Sequence, residues 1–316
     1  MFKLILITLL SISSIYSDDL SSFANFMKFT REYKKIYSSQ EEYTYRYSVF
    51  KENLKNLNSR KFDNLLNSFE EGITQFSDLT MEEFKSKFLN NITPSQTPCK
   101  TLPKFFLSKS NPTPESIDWR QLGMVSPIKN QGAAIGAWVY ATMAYFESQS
   151  LMQKKPDIFN EEQVADCDPN SIGPGGFPLS AFIYLSKYGI ELNYECKDHN
   201  CGYDPLKVVA KVSDVKCWEN VSMDELQSQV YNIGPLTIAV DALDFQMYVS
   251  GVLACQNRSS VNHSVLLVGY TKDSWIIKNS WGKNWGERGY VRVSNQTGQN
   301  CLVGDYVISA TLSFIA

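Results

Sequence analysis

Everything after Gly234 is punctuated like a sheet. The segments PLTIAVDA, HSVLLVGYT, SWIIKNSW, GYVRV and YVISATL fall between residues 235 and 312. They are β-branched and aromatic runs set apart by Gly, Asn and Asp, which reads as a series of strands. The chain before Gly234 keeps a different period. Trp138, Ala141, Thr142, Tyr145 and Phe146 recur at helical spacing within 138–153; the segments 162–165 and 180–187 read as shorter helices. A helical half followed by a β half predicts an α+β fold with a cleft between the two parts.

What precedes that unit has another character. Residues 1–17 carry Lys3, an apolar run from Leu4 to Leu10, and small residues ending near Ser17. That is the pattern of a secretory signal, too short to span a bilayer. Residues 18–90 are charged and helix-rich. Residues 91–115 hold Pro94, Pro98, Pro103, Pro112 and Pro114 among Ser and Thr, the composition of an extended linker open to proteolysis. The globular unit is expected over 116–316. A formal net charge of −3 over 316 residues gives no electrostatic case for nucleic acid or an anionic membrane surface as partner. No later segment approaches the length of a membrane span.

A secretory route permits disulfides. The seven cysteines are Cys99, Cys167, Cys196, Cys201, Cys217, Cys255 and Cys301. An odd number leaves at least one without an intramolecular partner. No C-x-x-C pair occurs and there are two His, so neither a metal nor another cofactor is expected. Sequons stand at Asn91, Asn220, Asn257, Asn262 and Asn295.

Two groups of motifs narrow the class. Glu42, Arg46, Phe50, Asn53 and Leu57 are spaced by four, four, three and four, one face of a helix. On spacing alone this is any amphipathic helix with an i,i+4 ion pair. By identity it resembles the ERFNIN signature of papain-like pro-segments, with Lys61 in place of the last Asn. The stretch GITQFSD then matches the second pro-segment motif at Gly72, Phe76 and Asp78, with Thr74 in place of an Asn. DWRQLGMVSPIKNQG (118–132), VNHSVLLVGY (261–270) and NSWGKNWGERGY (279–290) follow in order. Together these closely resemble the papain family of cysteine proteases, in its cathepsin L-like branch. The resemblance implies a two-lobed fold, one lobe helical and one barrel-like. It also implies a helical inhibitory pro-domain whose following chain runs backwards through the cleft.

The resemblance assigns positions one by one. In such a family a thiol at a helix N-terminus has its pKa lowered by the helix dipole and an imidazolium, and its thiolate attacks a peptide carbonyl. The imidazole returns the proton to the leaving amine. An Asn amide orients the imidazole, and a Gln amide donates to the oxyanion. His263 takes the imidazole position, Asn279 the orienting amide and Gln131 the oxyanion position, with Trp281 shielding the His–Asn bond and Trp285 packed nearby. Gly175 and Gly176 match a backbone wall for bound peptide. Phe177, Pro178, Ala239 and Val261 match the lining of an apolar specificity pocket. Cys167 is expected to bridge Cys201, and Cys255 to bridge Cys301. Cys196 and Cys217 are additional, either paired with each other or unpaired, and Cys99 is the odd one.

The nucleophile is the departure. Where the family pattern reads Q-G-x-C-G-S-C-W, this chain has Gln131-Gly132-Ala133-Ala134-Ile135-Gly136-Ala137-Trp138. Ala137 stands at the nucleophile position, and no Cys occurs between Cys99 and Cys167. Ala134 and Gly173 replace both halves of a local disulfide. The expectation is a catalytically inactive homologue, held in a zymogen-like pro-form. Its cleft would bind peptides, inhibitors or active relatives, as a monomer in the secretory pathway, in an acidic vacuole or outside the cell. Two other classes stay open. One is a pro-segment that inhibits proteases in trans; the other is an active cysteine endopeptidase, which requires a Cys at 137.

Overall fold

The computed structural model describes residues 20–60, 68–89, 99, 113–133, 136–169, 176–192, 204–256 and 259–315. The expected signal, most of the linker, Ala134, Gly173, Gly175, Cys196 and Cys201 lie outside those residues.

The sheet is built around β7 (His263–Tyr270), which pairs antiparallel with β5 (Leu236–Val240) on one side and β8 (Ser274–Lys278) on the other. Every residue of these three strands is buried. They therefore read as unbroken apolar runs rather than alternating ones. Beyond β8 come β9 (Tyr290–Ser294) and then β6 (Tyr248–Leu253), joined in parallel. Beyond β5 come β10 (Tyr306–Phe314) and β4 (Val208–Glu219). A short β2 (Ile117–Asp118) pairs with β7, and β3 (Ile190–Glu191) with β4.

Helix α4 (Ala137–Met152) crosses this sheet. It packs on β5, β7 and β10 from one side and on α6 (Pro178–Tyr188), which the short α5 (Glu162–Cys167) adjoins, from the other. Twelve of its sixteen residues are buried. The single apolar stripe expected from the sequence is thus an understatement, because α4 is enclosed on more than one face. The helix-then-strand division also needs correcting. The long strand β4 and the helix α7 (Met223–Ile233) lie before Gly234 in the reverse order. The start of α7 is a capping box, Ser222 with Glu225 three residues on, a signature legible in the sequence.

The N-terminal segment docks on this unit. Helix α1 (residues 20–32) and α2 (Gln40–Arg60) enclose a small aromatic core of Phe26, Phe29 and Phe50. Strand β1 (Phe69–Glu71) then adds to the free edge of β6, antiparallel. Helix α3 (Met81–Phe88) follows, and Phe76, Leu79, Phe84 and Leu89 enter the main core rather than the small one. The signature residues explain this geometry. Arg46 donates to the Glu83 carboxylate at 2.7 Å and to the Asp78 carbonyl at 3.1 Å. Asn53 donates to the carbonyls of Ser77 and Leu79, both at 2.9 Å. Asp78 receives Lys35 at 2.8 Å and the Tyr37 hydroxyl at 3.0 Å. The expected Glu42–Arg46 pair is a loose 3.8 Å contact. Glu42 instead accepts from the Ser38 amide and hydroxyl.

Two disulfides are present among the described residues. Cys255–Cys301 is the pair the resemblance implied. The other overturns an expectation: Cys99 is not the odd cysteine, and Cys217 does not pair with Cys196. Cys99 bonds Cys217 on β4, with the Cα atoms 5.1 Å apart and both residues buried. That distance lies within the range a disulfide spans. No helix of the described residues is long and apolar enough to cross a membrane.

Candidate active site

His263 opens β7 and Asn279 follows β8, so the antiparallel pairing of these strands sets the two side chains side by side. His263 Nε2 lies 2.8 Å from Asn279 Oδ1. The same Oδ1 accepts the Ser280 N–H at 2.8 Å, which fixes the amide's orientation and makes Nε2 the protonated ring nitrogen. Trp281 lies against the imidazole, centroid to centroid 4.6 Å, and Trp285 meets Trp281 edge-on at 4.9 Å. His263 is 1% exposed. Burial pushes its pKa down to about 4, against the Asn279 hydrogen bond, which raises it. Nδ1 has no hydrogen-bond partner among the described residues. A neutral imidazole is thus sealed into the wall.

The Gln131 side is laced to the same wall. The Gln131 N–H donates to the Ser280 carbonyl at 2.8 Å, its Oε1 accepts the Ser280 hydroxyl at 2.6 Å, and Asn130 bridges to Trp281. Gly132 turns the chain away with φ +59°, a conformation that L side chains adopt at a cost. Beneath lies a partly buried ionic cluster that links this loop to α4. Lys129 binds Glu147 at 2.7 Å and Glu161 at 2.6 Å, while Lys278 donates to the Ser126 hydroxyl, which donates to Glu147. Burial lowers the Lys278 pKa to about 8. Sequence reasoning missed this cluster, as it missed Ser280.

Opposite stands the start of α4. Gly136 is its N-cap and makes no side-chain cap bond; Ala137 is its first residue, buried, with no acidic residue in the first turn. One turn on, Ala141 lines a common small cavity with Ser264 and Asn279, which places this helix end beside the imidazole strand. A helix N-terminus of this kind depresses the pKa of a thiol placed there, and the residue placed there is Ala137.

The remaining expected residues gather as follows. Gly176 sits where a Cβ would lie 2.3 Å from the Trp138 ring, so the close approach requires glycine. Pro178 is the first residue of α6, where its missing N–H costs nothing. Phe177 meets Tyr306 edge-on at 5.4 Å, and Tyr306 is the cross-strand partner of Ala239. Tyr306 therefore belongs to this apolar group, a member that the sequence did not announce. Val261 is buried. Asn262, whose sequon adjoins the imidazole, is also buried: its amide donates to Asp241 at 2.7 Å and its oxygen accepts the Ala242 N–H at 2.8 Å. Among the described residues, no three His, Cys, Asp or Glu side chains are grouped to hold a metal.

The N-terminal segment covers one end of this site. Phe76 and Phe84 meet Trp281 edge-on at 5.1 and 5.5 Å, and Gln75 donates to the Trp281 carbonyl at 2.9 Å. The Thr74 hydroxyl reaches the Gln246 carbonyl at 2.6 Å, and Gln246 donates back to the Phe76 and Leu79 carbonyls.

Comparison with known proteins agrees with this geometry. Residues 113–311 match the papain family of cysteine proteases, and residues 26–84 match the cathepsin propeptide inhibitor domain. Cysteine proteinase 15A of Pisum sativum is 34% identical over 315 residues, covering 90% of this chain and 85% of that protein. A cathepsin L-like proteinase of Fasciola hepatica is 34% identical over 289 residues, covering 86% and 88%. The digestive procathepsin L2 proteinase from Tenebrio molitor larval midgut superposes with a TM-score of 0.82 at 30% identity, covering 92% of this chain and 99% of that one. The chain belongs to the papain family of cysteine proteases, in the cathepsin L-like form that carries an inhibitory propeptide.

Proposed function

We propose that this chain is a catalytically silent member of its family, kept as a pro-form, whose cleft holds its own pro-segment or another peptide without cutting it. The observation that carries this reading is Ala137 as the first, buried residue of α4, at the position where the family pattern has its nucleophilic Cys. A methyl group forms no acyl bond. In a serine protease, loss of the nucleophile costs about a millionfold in turnover. What an oxyanion site and binding alone leave, roughly 10³–10⁴ over water, is not useful proteolysis. Peptides, protease inhibitors and active relatives are the partners that fit the retained Gln131, Gly176 and Phe177. The protein is read as a monomer of the secretory pathway, bound for an acidic vacuole or the outside of the cell.

The test is turnover by pure protein freed of its pro-segment. No cleavage of peptide substrates and no labelling by a thiol-directed epoxide are expected. Turnover that persists in pure material and vanishes in His263→Ala would sink the reading. A second reading is favoured by the separate aromatic core of Phe26, Phe29 and Phe50: a pro-segment with a core of its own would serve as a protease inhibitor in trans.

A further inference from the structure

The pro-segment is held on two sides of the imidazole. On one side β1 pairs with β6, Thr74 and Gln246 exchange hydrogen bonds with their partners, and Phe76 and Phe84 lie on Trp281, next to Asn279 and the end of β8. Cys99 is bonded to Cys217 on β4, and the order β8, β7, β5, β10, β4 puts that bond three strands beyond His263. The two anchors therefore stand on opposite sides of the imidazole. The first is aromatic contact and hydrogen bonding, which reverse on dilution. The second is covalent, and Cys99 is the one cysteine that precedes residue 113.

We propose that the Cys99–Cys217 bond makes the pro-segment a tethered occupant of this domain, so that a backbone cut between residues 100 and 112 does not release it. Release takes a second event, reduction by a dithiol. One thiolate of the dithiol attacks a sulfur of the pair, forms a mixed disulfide and expels the other cysteine as thiolate. The second thiolate of the dithiol then closes its own disulfide and expels the remaining cysteine. The dithiol is oxidised, two cysteines are reduced, and each takes up a proton at neutral or acid pH. While the bond lasts, rebinding of the cut segment is intramolecular, and its effective concentration does not fall when the solution is diluted. Both cysteines are buried, which limits access for the reductant until the segment loosens.

This inference does not depend on the loss of the nucleophile, and its test reads no catalysis. A recognition site for a sequence-specific endoprotease is inserted after Lys104 of the full chain, expressed through an oxidising secretory route. The protein is cut, its free thiols are alkylated, and it is run denatured without reductant. The expected result is one band at the mobility of the joined chain, which splits in two with dithiothreitol. Cys99→Ser should split without it, and because the gel is denaturing this holds whether or not the variant folds. Peptide mapping of the uncut wild type should recover a Cys99–Cys217 linked pair. Two bands from the cut wild type without reductant, or Cys217 mapped to Cys196 or as a thiol, overturns the proposal.

Discussion

The two walls of the site have opposite characters. On the strand side, Asn279, Ser280, Gln131 and His263 form a continuous set of hydrogen bonds beneath Trp281, all buried. On the helix side, Gly136 and Ala137 bring neither a polar side chain nor a cap bond. The strand wall is part of the core: its residues begin or follow β7 and β8, and removing one leaves buried groups unpaired. The helix wall is not under that constraint, because a methyl at a helix start suits a packed helix as well as a thiol does. The residue at 137 can therefore change without disturbing the fold, whereas the residue at 263 cannot.

The contrast breaks most sharply in Ala137→Cys. If the strand wall is still competent, that change in protein freed of its pro-segment should bring epoxide labelling and turnover at least roughly 10³-fold above the wild-type background. Labelling without turnover would show that the helix wall has lost more than a sulfur, and Ala134 with Gly173 become the next residues to restore.

The second test uses pH. The His263 pKa is lowered, so the unfolded chain binds a proton that the folded chain refuses between about 4 and the ordinary value of 6.5. Its contribution is complete above that ordinary value and is lost as pH falls through the window, by about 3 kcal/mol. Denaturant unfolding at neutral and acid pH should show this slope in the wild type and lose about one proton of it in His263→Gln. In Ala137→Cys a thiolate beside Nδ1 favours the imidazolium, so the His263 midpoint should move up. The smallest effect is Asn279→Ala. It strips a partner from the His263 and Ser280 N–H groups and should cost about 1–3 kcal/mol in unfolding free energy.

Much of this contrast was legible in residue identities. His263, Asn279, Gln131 and Trp281 sit in runs whose order and spacing name their positions, and β5, β7, β8, β9 and β10 are apolar runs with clear breaks. What was not legible depends on distance in the chain. Lys129, Glu147, Glu161, Ser126 and Lys278 meet only after folding, and no local period marks them as one cluster. The same holds for Cys99, since spacing does not reveal a partner 118 residues away. The strand β4 is hard to see because VVAKVSDVKCWE alternates apolar and polar residues over only part of its length and stands between helices. Tyr306 joined the Phe177 group through strand register, which no single segment displays.

Asn262 carries a consequence for the making of this protein. A sugar on its amide nitrogen, the atom that donates to Asp241, would have to occupy the space of packed side chains. Glycan and fold are mutually exclusive at this position. In a compartment that glycosylates nascent chains, the sequon becomes a race between the transferase and the closing of β7 onto β5. A molecule that loses the race carries its own record of having failed to fold, one residue from the imidazole.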